Sequence, residues 1–246
     1  MKISIITVCW NASATLEETI KSVASQSYND IEYIIVDGGS TDSSVDIIKK
    51  YSNVIDKWVS EKDKGLYDAM NKGVAMATGD YIGILNADDT FYENNTIEKV
   101  AKFLQDNPLD ACVGDIVQHK NGKIIRKYSS KNWIPEKLKI GFMAPHPSIF
   151  FKKELFQKFG DYKLGYKIAA DYELIIRYFI KHTITWKYSG ITTTSMSVGG
   201  ASSSGLSSYN KITEEVAKAF TDNKISYSPF KVKYRVFWKI FDFLKK

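Results

Sequence analysis

Thr78–Thr90, TGDYIGILNADDT, reads as a buried strand that ends in a cluster of oxygen-bearing side chains. Asp80-Tyr81-Ile82-Gly83-Ile84-Leu85 is a short, largely apolar run of the kind that forms a parallel strand covered on both faces. Asn86, Asp88 and Asp89 follow within four positions. In open α/β sheets, ligands gather beyond the carboxyl ends of the strands. Two carboxylates there are hard, anionic ligands suited to Mg²⁺ or Mn²⁺, which keeps other positions for water and a substrate phosphate. Two plainer readings compete. The segment is an Asx turn, or a cap in which Asp89 starts a helix near Asn94.

Upstream, Ile3–Cys9 (ISIITVC) predicts a first buried strand and Trp10-Asn11-Ala12-Ser13 a polar turn. Leu16, Ile20 and Val23 predict a helix over 14–27. A second strand from Ile31 to Val36 closes on Asp37-Gly38-Gly39-Ser40-Thr41-Asp42. A helix over 42–50, a weaker strand over 54–60 and a helix over 68–77 complete the approach to the quoted segment. Strands alternating with helices predict a parallel sheet of βαβ units over 1–105.

Beyond Pro108 the pattern changes to short strands at 111–118, 123–128 and 148–152, separated by turn signals such as Asn121-Gly122. Helices are expected at 152–159, 169–182 and 209–221, and the Ser, Thr and Gly of 192–208 predict a mobile loop. The fold class is therefore α/β, with one domain over 1–221 and a tail over 222–246.

Hydrophobic residues at 44% and charged residues at 25% describe a soluble globular chain. The first residues enter a strand directly, without a signal-peptide pattern, and no stretch reaches the roughly 18 apolar residues of a spanning helix. Cys9 and Cys112 are too few and too far apart for a disulfide framework or zinc site, so a reducing cytoplasm is expected. The net charge of +6 lies in Lys224, Lys231, Lys233, Arg235, Lys239, Lys245 and Lys246 against Asp242, and residues 1–223 balance to zero. Nucleic acid is disfavoured as a partner, because its footprint should spread over a groove or helix.

Asp37 ends a buried strand and needs a partner. It is either part of a capped turn made by Gly39–Asp42, or an acceptor for the imide N–H of a uracil-like base. Glu61–Gly73 (EKDKGLYDAMNKG) is either a solvated helix start or a polar wall carrying Asp63, Lys64 and Asn71. Neither of the two common phosphate loops is present, which leaves a metal to neutralise phosphate charge. Asp171 and Glu173, in Ala169–Leu174, either stabilise a helix N-terminus or face a substrate. His146, between Pro145 and Pro147, is either a hydrogen-bonded structural residue or a site residue. The tail from Pro229 interleaves aromatics with lysines, as in a docked helix with solvated lysines or a basic amphipathic segment lying in a membrane interface.

Taken in order, Thr7…Asn11, DGGSTD, EKDKGLYDAMNKG and NADD resemble the family 2 glycosyltransferases of the GT-A fold, particularly bacterial enzymes of surface-polysaccharide synthesis. The resemblance covers residues 1–200. It implies a Rossmann-like, mostly parallel sheet flanked by helices, with a nucleotide-sugar half over 1–105 and an acceptor half over 106–221. By this resemblance Thr7, Asn11 and Asp37 hold the nucleotide base, while Asp63, Lys64 and Asn71 line the donor site. Asn86-Ala87-Asp88 stands for the family's Asp-x-Asp, with Asp88 a ligand of Mn²⁺ or Mg²⁺. Asn86 departs from that pattern by lacking charge, and Asp89 can supply the missing carboxylate. Asp171 is the implied general base of an inverting transfer, with Glu173 second and His146 near the acceptor or diphosphate. The 192–208 region would close over the donor.

The implied reaction moves a sugar from a UDP-sugar to a polyprenyl-diphosphate-linked saccharide at the cytoplasmic membrane face, where the tail provides attachment. Two alternatives are a sugar-nucleotide nucleotidyltransferase and a non-catalytic glycan- or sugar-nucleotide-binding protein. The first requires a Gly-rich N-terminal phosphate loop that CWNASA at 9–14 does not provide. The second rests on Asn86 alone, against Asp88, Asp89 and Asp171.

Overall fold

The computed structural model describes residues 1–120, 122–197 and 206–235. β1 (Ile3–Cys9) is buried along its whole length and pairs in parallel with β2 (Ile31–Asp37) on one side and β4 (Tyr81–Ile84) on the other. β2 in turn carries β3 (Lys57–Ser60) in parallel. α1 (Leu16–Ala24), α2 (Ser44–Lys50) and α3 (Leu66–Met76) make the crossovers between these strands. The predicted βαβ half is present.

Side-chain alternation divides the core into two layers. Ile6, Val8, Ile34, Val36, Ile82 and Ile84 point to the side covered by α3. Ile3, Ile5, Tyr33, Ile35, Tyr81 and Leu85 point to the side of α1 and α4 (Thr96–Asp106). Each large apolar side chain buried in this way contributes about 1.5–3 kcal/mol before the entropy of ordering is subtracted. Gly73 of α3 lies so close to β1 that a Cβ would stand 2.4 Å from Ile6 Cγ2.

The sheet continues through β8 (Ile149–Lys152), which runs against β4, and β6 (Ala111–Lys120), which runs against β8. β9 (Trp186–Ser197) lies parallel to β6 and carries β5 (Asp89–Phe91) antiparallel at the far edge. Among the described residues, β7 (Lys123–Tyr128) pairs only with β6, as a hairpin. β1–β4, β6 and β9 thus share one direction. Their carboxyl ends meet the starting ends of the antiparallel β5 and β8 along one edge of the sheet.

Two expectations are corrected here. Residues 192–197 belong to β9, because Thr192, Thr193 and Thr194 are β-branched, and Thr192 and Thr194 pair with Asp115 and Ile116 of β6. The rest of the expected loop, 198–205, lies outside the described residues. Asp89 begins a strand and caps no helix, since β9 offers it a ladder partner in Met196.

α5 (Glu154–Phe159) and α6 (Ala170–Ile175) follow β8, and α6 runs on into a π-helical turn, Ile176–Lys181. In that turn Arg177 donates to the carbonyls of Phe159, Gly160 and Asp161. α7 (Leu206–Asn223) and α8 (Pro229–Lys233) pack beside α6 and the 3₁₀ turn Pro135–Ile140.

The tail does not leave the domain at 222. Val232 is buried, and Arg235 donates to Thr213 Oγ1 at 2.6 Å with its guanidinium over the Tyr209 ring. The docked-helix reading holds through Arg235, and residues 236–246 lie outside the described residues. Among the described residues, no helix is long and apolar enough to cross a membrane.

Candidate active site

The loops at the carboxyl edge are stitched to one another by their own side chains. Asn11, held at φ +49°, donates its backbone N–H to Ser40 Oγ at 2.7 Å and accepts from the Thr41 N–H at 2.9 Å. The Ala12 N–H reaches Ser44 Oγ at 2.9 Å, and the Ser13 N–H reaches Asp42 at 3.0 Å. Much of the DGGSTD motif therefore satisfies backbone donors ahead of α1. Asn11 is one of the stitches.

Asp37 is fully buried and accepts from the N–H groups of Gly39 and Ser40, the hydroxyls of Ser40 and Ser60, and the Cys9 thiol. Burial opposes its ionisation, but the Ser40 and Ser60 hydrogen bonds outweigh it and hold the carboxyl below its ordinary range. Glu61–Gly65 crosses over this loop. A Cβ on Gly38 would stand 2.3 Å from Asp63 Oδ2, so only glycine allows that carboxylate to lie where it does. Asp63 Oδ1 accepts from the Gly65 N–H at 2.8 Å, and the Lys64 N–H reaches Asp68 at 3.0 Å.

Two residues expected at the donor have core duties. Thr7 is fully buried within β1, and its hydroxyl accepts from Tyr33 at 3.2 Å. Asn71 clamps the Tyr162 backbone, donating to its carbonyl at 2.8 Å and accepting from its N–H at 2.9 Å. Their side chains are engaged before any ligand arrives.

The acid pair follows β4. Asp89 is almost fully buried and accepts from the Asn86 amide at 3.1 Å, and the Ser197 backbone N–H also reaches it. Burial, reinforced by the neighbouring Asp88 charge, pushes its pKa up to about 7. Asp88 is half-buried.

Among the described residues, no group of three or more His, Cys, Asp or Glu side chains is placed to hold a metal ion. A self-sufficient protein cage is therefore not what these residues provide. They fit a Mg²⁺- or Mn²⁺-type ion that takes one or two carboxylates and fills its remaining positions with water and phosphate. A buried carboxylate beside a second one is a donor set that gains from such a cation.

Across the cleft, Asp171 opens α6. The Tyr67 hydroxyl of α3 donates to the Ile168 carbonyl at 2.6 Å and is shared with Asp171 Oδ1 at 3.2 Å. The Tyr172 N–H donates to the same oxygen at 2.8 Å. Burial pushes Asp171 up to about 6 against these hydrogen bonds. Glu215 of α7, itself buried, accepts the N–H groups of Lys167, Ile168 and Ala169 at 2.8–2.9 Å and so fixes the approach to α6. Sequence reasoning missed both Tyr67 and Glu215. Their partners are about 100 and 50 positions away, respectively, at distances set by packing rather than by local periodicity.

Glu173 is no base. It is fully buried between Arg177 at 2.9 Å, Lys163 at 2.8 Å and the Asn223 amide at 2.9 Å. Burial raises its pKa, but these partners prevail and hold it below the ordinary glutamate range. His146 is buried with its Nε2 2.8 Å from the Tyr162 hydroxyl, and burial alone lowers it to about 4, so it is neutral at pH 7. A cleft lined by Lys64–Asp68 and Leu164–Lys167 opens beside Tyr67, with Leu66 and Leu164 exposed at its rim.

Comparison with known proteins gives a family and a fold. The sequence model described as glycosyl transferase family 2 matches residues 4–168. The PGL/p-HBAD biosynthesis glycosyltransferase of Mycobacterium bovis (strain BCG / Pasteur 1173P2) is 33% identical over 207 residues, covering 82% of this chain and 79% of that protein. An uncharacterized glycosyltransferase of Haemophilus influenzae is 41% identical over 113 residues, 44% of each chain.

Among solved structures, S. aureus TarS 1-349 in complex with UDP-GlcNAc has a TM-score of 0.71 at 18% identity, over 89% of this chain and 66% of that one. The mannosyltransferase PcManGT from Pyrobaculum calidifontis, in complex with GDP-Man and Mn2+, has a TM-score of 0.68 at 18% identity, over 94% and 67%. The chain thus spans just under two thirds of the TarS fragment. At these identities the likeness to solved structures is one of fold, and that fold is GT-A.

Proposed function

The chain belongs to glycosyl transferase family 2, and from that premise we propose that it moves a sugar from a nucleotide-diphosphate donor, a UDP-sugar, to a lipid-linked saccharide with inversion at the anomeric carbon. The observation that carries the mechanism is the Tyr67–Asp171 contact, which joins the donor-half helix α3 to the carboxylate at the start of α6. Asp171 is half-buried, raised towards neutrality and held in one orientation by two donors. Those are the properties of a general base that must take a hydroxyl proton in the transition state.

The donor lies along the carboxyl edge. Its base packs against the loop that Asp37 organises and the Asp63 carboxylate over Gly38. Its diphosphate lies toward Asp88 and Asp89, with Lys64 at the cleft. Asp88, with Asp89 beside it, would hold Mn²⁺ or Mg²⁺, which when bound would supply Lewis-acid stabilisation of the charge that develops on the departing nucleotide. Asn86 orients Asp89 through its amide. On the acceptor side, Tyr67 and the Glu215-capped segment keep Asp171 directed at the attacking hydroxyl. The apolar rim of Leu66 and Leu164, flanked by Lys64 and Lys167, suits an acceptor that carries a lipid and a phosphate.

Two further observations support a surface-glycan role at the cytoplasmic face of the membrane: a mycobacterial relative named for PGL/p-HBAD biosynthesis, and the cation-rich C-terminus. The deciding experiment measures nucleotide release from a panel of nucleotide sugars, with and without lipid-diphosphate acceptors and Mn²⁺. Acceptor-stimulated release of UDP with an inverted product supports the reading. Equal release from Asp171→Asn would remove its base.

A further inference from the structure

We infer that the β6–β7 hairpin is an anionic-lipid contact that presents the carboxyl edge of the sheet to a membrane surface. β7 is exposed from Lys123 to Lys127, and among the described residues its strand pairing is with β6. Ile124 is 57% exposed and Ile125 is 56% exposed. Gln118 pairs with Arg126 and His119 with Ile124, so Ile125 is the extra residue of a β-bulge and the hairpin end carries two adjacent exposed apolar side chains.

Lysine and arginine on an edge strand are common guards against edge-to-edge pairing. Two bare isoleucines on the same strand work against that guarding and need another reason. From residue 116 to residue 135 the chain holds Lys120, Lys123, Arg126, Lys127 and Lys131 and no acid. Because residues 1–223 are neutral as a whole, this segment is a local positive patch within a balanced domain. Cations around protruding apolar side chains complement an anionic headgroup layer, with the isoleucines entering the acyl boundary.

The topology gives the contact a direction. Gln118 of β6 pairs with Met196 of β9, which pairs with Asp89 of β5. The strand then continues past that level to Lys120 and turns, with Gly122 at φ +72°. The hairpin end therefore stands beyond the acid pair on the same edge of the sheet. A surface touched by Ile124 and Ile125 faces the candidate active site. This inference concerns residues separate from 236–246 and holds whichever sugar is transferred.

The test is co-sedimentation of the full chain with vesicles of equal parts phosphatidylglycerol and phosphatidylcholine, and with phosphatidylcholine vesicles alone. The wild type is expected to bind the anionic vesicles and to be released by high salt. Ile124→Ser/Ile125→Ser is expected to weaken binding roughly tenfold or more, and Lys123→Glu/Lys127→Glu by at least as much. Melting temperature and donor hydrolysis in solution should stay unchanged in both variants. Wild-type binding by the serine variant would overturn the inference, as would failure of the wild type to bind. So would lipid-free dimerisation of the wild type that the serine variant abolishes, because the edge would then pair with a second copy of the chain.

Discussion

The side-chain amide of Asn86 donates to Asp89 at 3.1 Å, so the uncharged residue in NADD is a hydrogen-bond partner of a buried acid. An aspartate at this position would replace a donor with a third negative charge.

Asn86→Asp should therefore lower stability in chelator by about 1–3 kcal/mol, a fall of several degrees in melting temperature. Mn²⁺ should restore most of the loss, because a cation neutralises the crowded acids. Thermal melts in EDTA and in MnCl₂ check this. An equal shift in both buffers would show that the acids around position 86 do not meet an ion.

Asp171→Asn should reduce kcat by roughly 10²–10⁴-fold with donor affinity retained. In the wild type, kcat/KM should rise with pH through about 6, where the raised carboxyl ionises, and the variant should lack that limb. The stability sign is opposite. A carboxyl raised from 3.8 to about 6 favours the folded state at low pH, and that contribution is lost as pH rises through this window. The variant should then melt no lower than wild type at pH 7. Scanning calorimetry alongside initial rates separates the two effects.

Glu173→Gln should behave in the reverse manner. It removes the charge that Arg177 and Lys163 share, and Arg177 is itself buried. Breaking one side of a buried pair costs about 3–5 kcal/mol. The Glu173 pKa lies below its ordinary value, so its stabilisation is present above that value and lost as pH falls through the depressed one. Denaturant titration should show the loss at pH 7 and its shrinkage in acid. Turnover per folded molecule should stay near wild type, and a hundredfold drop would give Glu173 a chemical role.

His146→Phe tests the buried imidazole. Its pKa is lowered from 6.5 to about 4, so the folded state resists protonation and loses stability as pH falls across that range. The whole effect is roughly 3 kcal/mol. The variant should lose this pH dependence while paying a constant amount for the unpaired Tyr162 hydroxyl. Urea midpoints from pH 7 to pH 4 would show parallel curves if the imidazole were not the titrating group.

The βαβ half was legible because its signals are local. Ile3–Cys9, Ile31–Asp37 and Tyr81–Ile84 are apolar runs bounded by polar turns, and they form the strands read from them. β9 was not legible as a strand, since a Ser/Thr-rich segment takes its conformation from the ladder that β6 and β5 offer it. The tail was half legible. Its charge is in the sequence, but the docking of Val232 and Arg235 depends on a surface made by distant helices.

By itself, the sequence determined the α/β class, the family, and the presence of Asp37, Asp88, Asp89 and Asp171 at the ends of regular elements. Residue type and spacing carry that much, because hydrophobic period and turn chemistry act over a few residues. Only the tertiary structure decided what surrounds each candidate. Thr7 and Asn71 bond within the core, Glu173 is bound into an ion pair, and Asp171 is left raised beside the Tyr67 hydroxyl. The physical reason is that a side chain's role follows from its burial and partners, and here those partners come from strands and helices tens of residues away.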